Sequence, residues 1–208
     1  MRDVWALVVL TAGVLPSAVD AQFTSAYTEL NLPACRSLLD GSAPVGQETV
    51  WNEVGAYRKV CAGYDGYDVH FVSGDVMVAV GFAPEGQDDA VFPPEVFEAY
   101  VTVNLNAIEW RLSDGKPFAV THRWYMDTSP ASSNDLIKGE VLVISKLSSV
   151  DPYTSCAVGY IDAKANEEAN ALARVVADKA AVRFRCGVDT PRYHGEVGTG
   201  AANRLVLN

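Results

Sequence analysis

The sequence predicts an α+β domain in which a largely antiparallel meander sheet is covered on one face by a long C-terminal helix. Three observations predict it. Residues 108–126 hold two runs rich in β-branched and aromatic residues on either side of Asp114-Gly115, a hairpin signal. Residues 61–83 repeat the pattern around Ser73-Gly74. From 163 to 184, Ala169, Leu172, Ala173, Val176, Ala180 and Phe184 recur at the spacing of one helical face. With 208 residues, 49% of them apolar, the chain can bury one sizeable core, so a single domain over 22–208 is expected.

The elements follow in order. Tyr27 to Leu32 alternates as an edge strand that Pro33 stops, and residues 36–60 carry mixed signals that assign no element. In the hairpin at 61–83, a two-residue turn at Ser73-Gly74 puts Val69, Phe71, Val76, Val78 and Val80 on one face and His70 on the outer surface. Residues 84–95 read as an acidic, mobile loop, and 96–106 is apolar but ambiguous between strand and helix. In the hairpin at 108–126, a three-residue loop Asp114-Gly115-Lys116 with Leu112 opposite Phe118 places Ile108, Trp110, Leu112, Phe118, Val120 and Trp124 on one face. An even loop would split that set. Strands follow at 140–147 and 155–162, then the helix with Asp162 or Asn166 as its cap. A loosely held tail is expected from about residue 187.

Residues 1–21 read as an export signal. Arg2 gives the basic start, residues 4–14 form an apolar run too short to span a bilayer comfortably, and Val19-Asp20-Ala21 is a small-residue cleavage pattern before Gln22. A periplasmic or secreted chain with no membrane span after cleavage is the expectation. The net charge of −10, with no run of more than two basic residues, argues against a nucleic-acid partner. Four cysteines in an exported chain suggest two disulfides; of three possible pairings, Cys35–Cys61 with Cys156–Cys186 is preferred, because a helix returning along the sheet brings Cys186 back towards Cys156. None of the four has metal-site spacing, and no metal or cofactor is expected.

Tyr27 to Leu32 before Cys35, Cys61-Ala62-Gly63-Tyr64-Asp65-Gly66-Tyr67, Ile108-Glu109-Trp110-Arg111-Leu112, and Cys156 to Asp162 running into 163–174 together make the chain resemble a family of uncharacterised exported, periplasmic proteins of alphaproteobacteria. The resemblance covers most of the mature chain. It implies a compartment and a disulfide pattern, and carries over no activity.

The candidate binding residues are Trp51, Tyr57, Tyr64 and Tyr67, aromatic side chains on or near a glycine-rich, cross-linked loop that could stack on sugars or grip a protein. Core packing explains such aromatics about as well. His122 falls opposite Ile108 on the apolar face, where a neutral ring with one hydrogen-bonded nitrogen is the ordinary outcome, and His194 falls in the tail. Asp65 and Asp68 are turn formers before they are calcium ligands. Glu109 and Arg123, with Arg111 near, read as a solvated cross-strand pair, with an anion-recognising face as the functional alternative. No nucleophile elbow, HExxH helix or phosphate loop is present. The function expected is a non-catalytic envelope protein that binds or inhibits a macromolecule, either an envelope protein or a polysaccharide. The competing expectation is an exported hydrolase acting on an envelope polymer, which a pocket lined by His122 with convergent acids would favour.

Overall fold

The computed structural model describes residues 23–38, 57–73, 78–93, 97, 99–127, 137–150 and 152–201. The expected signal at 1–21 and Trp51 lie outside them. Within them run β1 (Phe23–Thr28), β2 (Arg36–Leu38), β3 (Tyr57–Ala62), β4 (Tyr67–Ser73), β5 (Val78–Pro84), β6 (Tyr100–Ser113), β7 (Lys116–Asp127), β8 (Lys138–Val150), β9 (Tyr153–Asp162) and β10 (Arg192–Tyr193). The larger sheet has the order β1-β6-β7-β8-β9-β10 and the smaller β2-β3-β4-β5. All neighbours are antiparallel except β10, which lies parallel to β9.

The α+β expectation is corrected by this architecture. Strands hold most of the described residues, and the region after β9 contains a short helix rather than a long one covering the sheet: α1 (Ala169–Val176) and one wide π turn (Ala177–Ala181), 13 residues together. The alanine spacing exists, but other bonds claim both ends. Asp162 Oδ1 accepts the backbone N–H groups of Lys164 and Ala165, and Asn166 donates to the Asp162 carbonyl, so 163–168 close as turns before a helix can start. The π turn then inserts a residue's worth of rotation. Ala177 stays on the stripe of Ala173 and Ala181 is brought onto it, whereas Ala180 and Phe184 reach only the edge of the core.

In the main hairpin Ile108, Trp110, Leu112, Val120 and Trp124 keep the predicted face by a different route, and Phe118 leaves it. Asp114 (φ 50°) and Gly115 (φ 80°) form a two-residue turn with Ser113 opposite Lys116, the left-handed pair that a type I′ hairpin requires. Leu112 then faces Pro117, not Phe118, and the register shifts so that Arg111 faces Ala119 and Trp110 faces Val120. The odd residue predicted for the loop is a bulge at Phe118, whose ring turns to Phe23 and the helix side.

Two other expectations change. Ser73 pairs with Val78, which rules out a two-residue turn at Ser73-Gly74. The register moves by an even number, so Val69, Phe71, Val78 and Val80 still share the inward face. Residues 84–93 of the expected mobile loop form a strap over the small sheet: Ala90, Val91 and Phe92 are buried, and Val91 bridges to Tyr153. The Phe92 ring lies where a Cβ on Gly81 would be, 2.1 Å from it, so glycine lets the strap sit directly on β5.

The layers follow from these faces. Cys61, Val69, Phe71 and Phe82 of the small sheet pack on Ile108, Trp110, Leu112, Val120 and Leu147 of the large one. The opposite face of the large sheet, with Ala119, Leu142, Ile144, Val158 and Ile161, receives the helix through Ala169, Ala173, Val176, Ala177 and Ala181. Alanine on that face lets the helix approach closely. Disulfides join Cys35 to Cys61 and Cys156 to Cys186, the second tying β9 to the chain leaving the π turn. After 187 the chain lays β10 beside β9, and Gly198 donates to Asp162 Oδ2. Among the described residues no helix is long and apolar enough to cross a membrane, which says nothing of strands.

Candidate functional site

The helix meets the large sheet across charge as well as alanine. Glu109 and Arg111 on β6 are buried, not solvated as expected, and neither pairs with Arg123. Glu109 Oε1 accepts Ser25 Oγ at 2.5 Å and Arg174 Nε at 2.7 Å. Arg111 forks onto Asp178 in the π turn, at 3.0 and 2.7 Å, and donates to Ser25 Oγ at 2.7 Å. Arg174 also reaches the Tyr27 hydroxyl at 3.2 Å, and Arg123 pairs with Glu140 at 2.6 Å.

Beside this layer the β6–β7 pairing breaks. Asn104 faces Arg123 and Glu109 faces Thr121, so residues 105–108 of β6 stand opposite His122 alone. Such bulges re-aim side chains and open ladders. A cavity of about 190 Å³ lies here, lined by Thr121, His122, Arg123, Glu109, Asn170 and Arg174, with Tyr27, Ala107 and Leu142 completing the walls. The Thr121 hydroxyl and both ring nitrogens of His122 are buried without a hydrogen-bond partner among the described residues. Burial pushes the His122 imidazole down to about 3, so at neutral pH it is uncharged. Its ring packs on Phe82 and Trp124, the side facing the small sheet. The expected single hydrogen bond to this ring is not formed by any described residue.

A second concavity flanks the first disulfide. It is a groove of about 500 Å³ lined by Glu29, Asn31, Cys35, Cys61, Asp68 and Glu85, among others. Asp68 Oδ2 accepts the Gly86 N–H, while Asp65 (φ 48°) and Gly66 (φ 78°) form the tight β3–β4 turn, so both aspartates serve the backbone. Tyr64 and Tyr67 flank that turn half-buried, their rings 6.2 and 6.1 Å from the Trp110 ring, and they do not line the groove. The turn itself abuts the groove, since Glu85 N–H donates to the Gly66 carbonyl at 2.8 Å. Tyr57 opens β3 opposite Ser73, at the other end of that strand from the turn. Of the aromatic candidates, Tyr64 and Tyr67 share the turn beside Trp110, and Trp51 lies outside the described residues.

No family model, curated protein or solved structure matches the chain.

His70, expected on the sheet surface, is buried beneath the strap. Arg58 donates to its Nδ1 at 2.8 Å and to the Ala90 carbonyl at 3.0 Å, and stands over the Phe92 ring. Burial first, and the Arg58 cation second, push His70 down to about 3. Burial also lowers the Arg58 guanidinium. Above it, Arg36 and Asp88 form an exposed ion pair that clips β2 to the strap. His194 lies beyond β10, its ring 2.8 Å from where a Gly159 Cβ would be. The three histidines thus sit in separate places, and no cluster of metal ligands occurs among the described residues. Sequence reasoning missed Thr121, Asn170, Arg174 and Asp178. Arg174 and Asp178, four apart on the predicted helix, were the available signal, because a helix laid on a sheet must put such a pair over some strand.

Proposed function

We propose that the chain is an exported, non-catalytic binding protein of the cell envelope, periplasmic or secreted, whose recognition surface is the groove beside Cys35–Cys61. The observation that carries this is the groove itself: a concavity of about 500 Å³, cross-linked along one wall and carrying the carboxylates Glu29, Asp68 and Glu85. Rigid walls lower the ordering cost of association, and the acidic lining in a chain of net charge −10 suits a basic segment of an envelope protein. Two disulfides and the signal pattern support export.

The hydrolase alternative has one observation on its side, since His122 and Glu109 line the same cavity. Against it, an imidazole at about 3 has no proton to give at neutral pH, and the Glu109 carboxylate is engaged by Arg174 and Ser25.

Intact mass of the exported protein tests the compartment: a start at Gln22 and a loss of four hydrogens are expected, and free thiols would refute it. Titration with oligolysine tests the groove. Binding should weaken with salt and with Glu29→Gln/Glu85→Gln; unchanged affinity in that variant would refute the groove as the surface.

A further inference from the structure

We propose that the cavity at the β6 bulge is a binding site for a small carboxylate anion. It lies apart from the acidic groove and does not rest on the function proposed for that groove.

The first ground is an unmet bonding capacity. Thr121 is only 4% exposed, lines the cavity, and its hydroxyl has no partner among the described residues. Buried hydroxyls in native proteins nearly always have a partner, so a polar group belongs here, and a carboxylate oxygen is one the hydroxyl can donate to. The second ground is the donor set. Two guanidiniums, Arg123 and Arg174, line the cavity; Arg174 is paired with the lining carboxylate Glu109, and each guanidinium has five N–H donors, more than one carboxylate partner takes up. Glu140 balances Arg123 from outside the lining.

Preorganisation is the third ground. Arg174 is held by Glu109 at 2.7 Å and by the Tyr27 hydroxyl at 3.2 Å, so its planar head is fixed before any ligand arrives. Asn170, one turn earlier on α1, accepts from Arg123 at 3.4 Å, a long bond that a better acceptor would displace. An entering carboxylate would accept from the Thr121 hydroxyl and the guanidiniums, with its apolar end against Ala107 and Leu142.

Size narrows the class. At about 190 Å³ the cavity somewhat exceeds the ~150 Å³ that holds a benzene ring, so the fit is a monocarboxylate with a short aliphatic or single-ring tail.

The test uses the oxidised full-length mature protein with benzoate as probe and benzamide, its uncharged analogue of the same shape, as control. Amide chemical shifts and calorimetry are followed together. Benzoate should bind saturably, moving the Thr121, Asn170 and Arg174 signals, and benzamide should bind at least tenfold more weakly. Thr121→Val keeps the shape and removes the hydroxyl; it should fold as the parent does and bind benzoate about tenfold more weakly. Arg123→Gln, at a half-exposed position, gives a second variant with the same expected direction. No saturable benzoate binding, equal binding of benzamide, or unchanged benzoate affinity in both variants would each overturn the proposal.

Discussion

Lowering the pH from 7 to 5 should destabilise this fold well before its carboxylates titrate. The cause is the pair of buried imidazoles, His70 and His122, each pushed from 6.5 to about 3 in the folded chain. Between those two values the unfolded chain takes up a proton that the native chain refuses. Stability therefore falls as pH drops through 6.5, goes on falling towards 3, and loses nothing further from these groups below that. At pH 5 the difference amounts to ~2 kcal/mol for each ring, or ~4 kcal/mol for both, a large share of the ~5–15 kcal/mol typical of a whole domain. Asp88 and Asp189 are held low by Arg36 and Arg185, so their contribution is lost only at more acid pH. Urea unfolding followed by tryptophan fluorescence at pH 7, 6 and 5 measures the effect. His122→Gln should remove about half of the pH slope and His70→Gln/His122→Gln nearly all of it. Equal midpoints at pH 7 and 5, or a slope unchanged in the double variant, would mean that water or protons reach these rings in the native state.

Two further outcomes follow from the core and from the charged layer. Trp110→Ala should cost ~3–5 kcal/mol by thermal melting, and Trp110→Phe should cost more than Trp124→Phe, because Trp110 Nε1 donates to Thr28 Oγ1 whereas Trp124 Nε1 has no partner among the described residues. Asp178→Ala should cost ~3 kcal/mol or more by leaving the buried Arg111 cation uncompensated, and adding Arg111→Met should recover much of it; additive losses would show that the pair is not coupled.

The hairpins were legible because strand alternation is a local property of the chain. Trp110, Val120 and Trp124 share a face only if one odd residue lies between them, and the need for that residue was readable from the apolar pattern. Its position was not. Asp114-Gly115 satisfies a two-residue turn by itself, so the extra residue moves to Phe118, where Phe23 of β1 and the helix side receive the ring. Those neighbours come from 95 residues before and about 50 after, and no local pattern names them.

The helix was misjudged for a related reason. Alanine periodicity reports what a segment can do if left to its own backbone bonds, and over 163–168 the side chains of Asp162 and Asn166 take those bonds first. The wide π turn has a tertiary cause of the same kind: it carries Asp178, and Asp178 is the partner of a guanidinium buried on β6. A straight, longer helix would keep Ala180 and Phe184 on the buried stripe with Ala177, in place of Ala181. The same charged layer that interrupts the helix also fixes Arg174 over the break in β6–β7 pairing. The departures in the helix and in the β6–β7 pairing therefore meet in one place, where β1, β6, β7 and α1 come together around Thr121. Local rules give way there to buried charge and to a buried hydroxyl with no partner among the described residues, so at the cavity the fold departs from what packing alone requires.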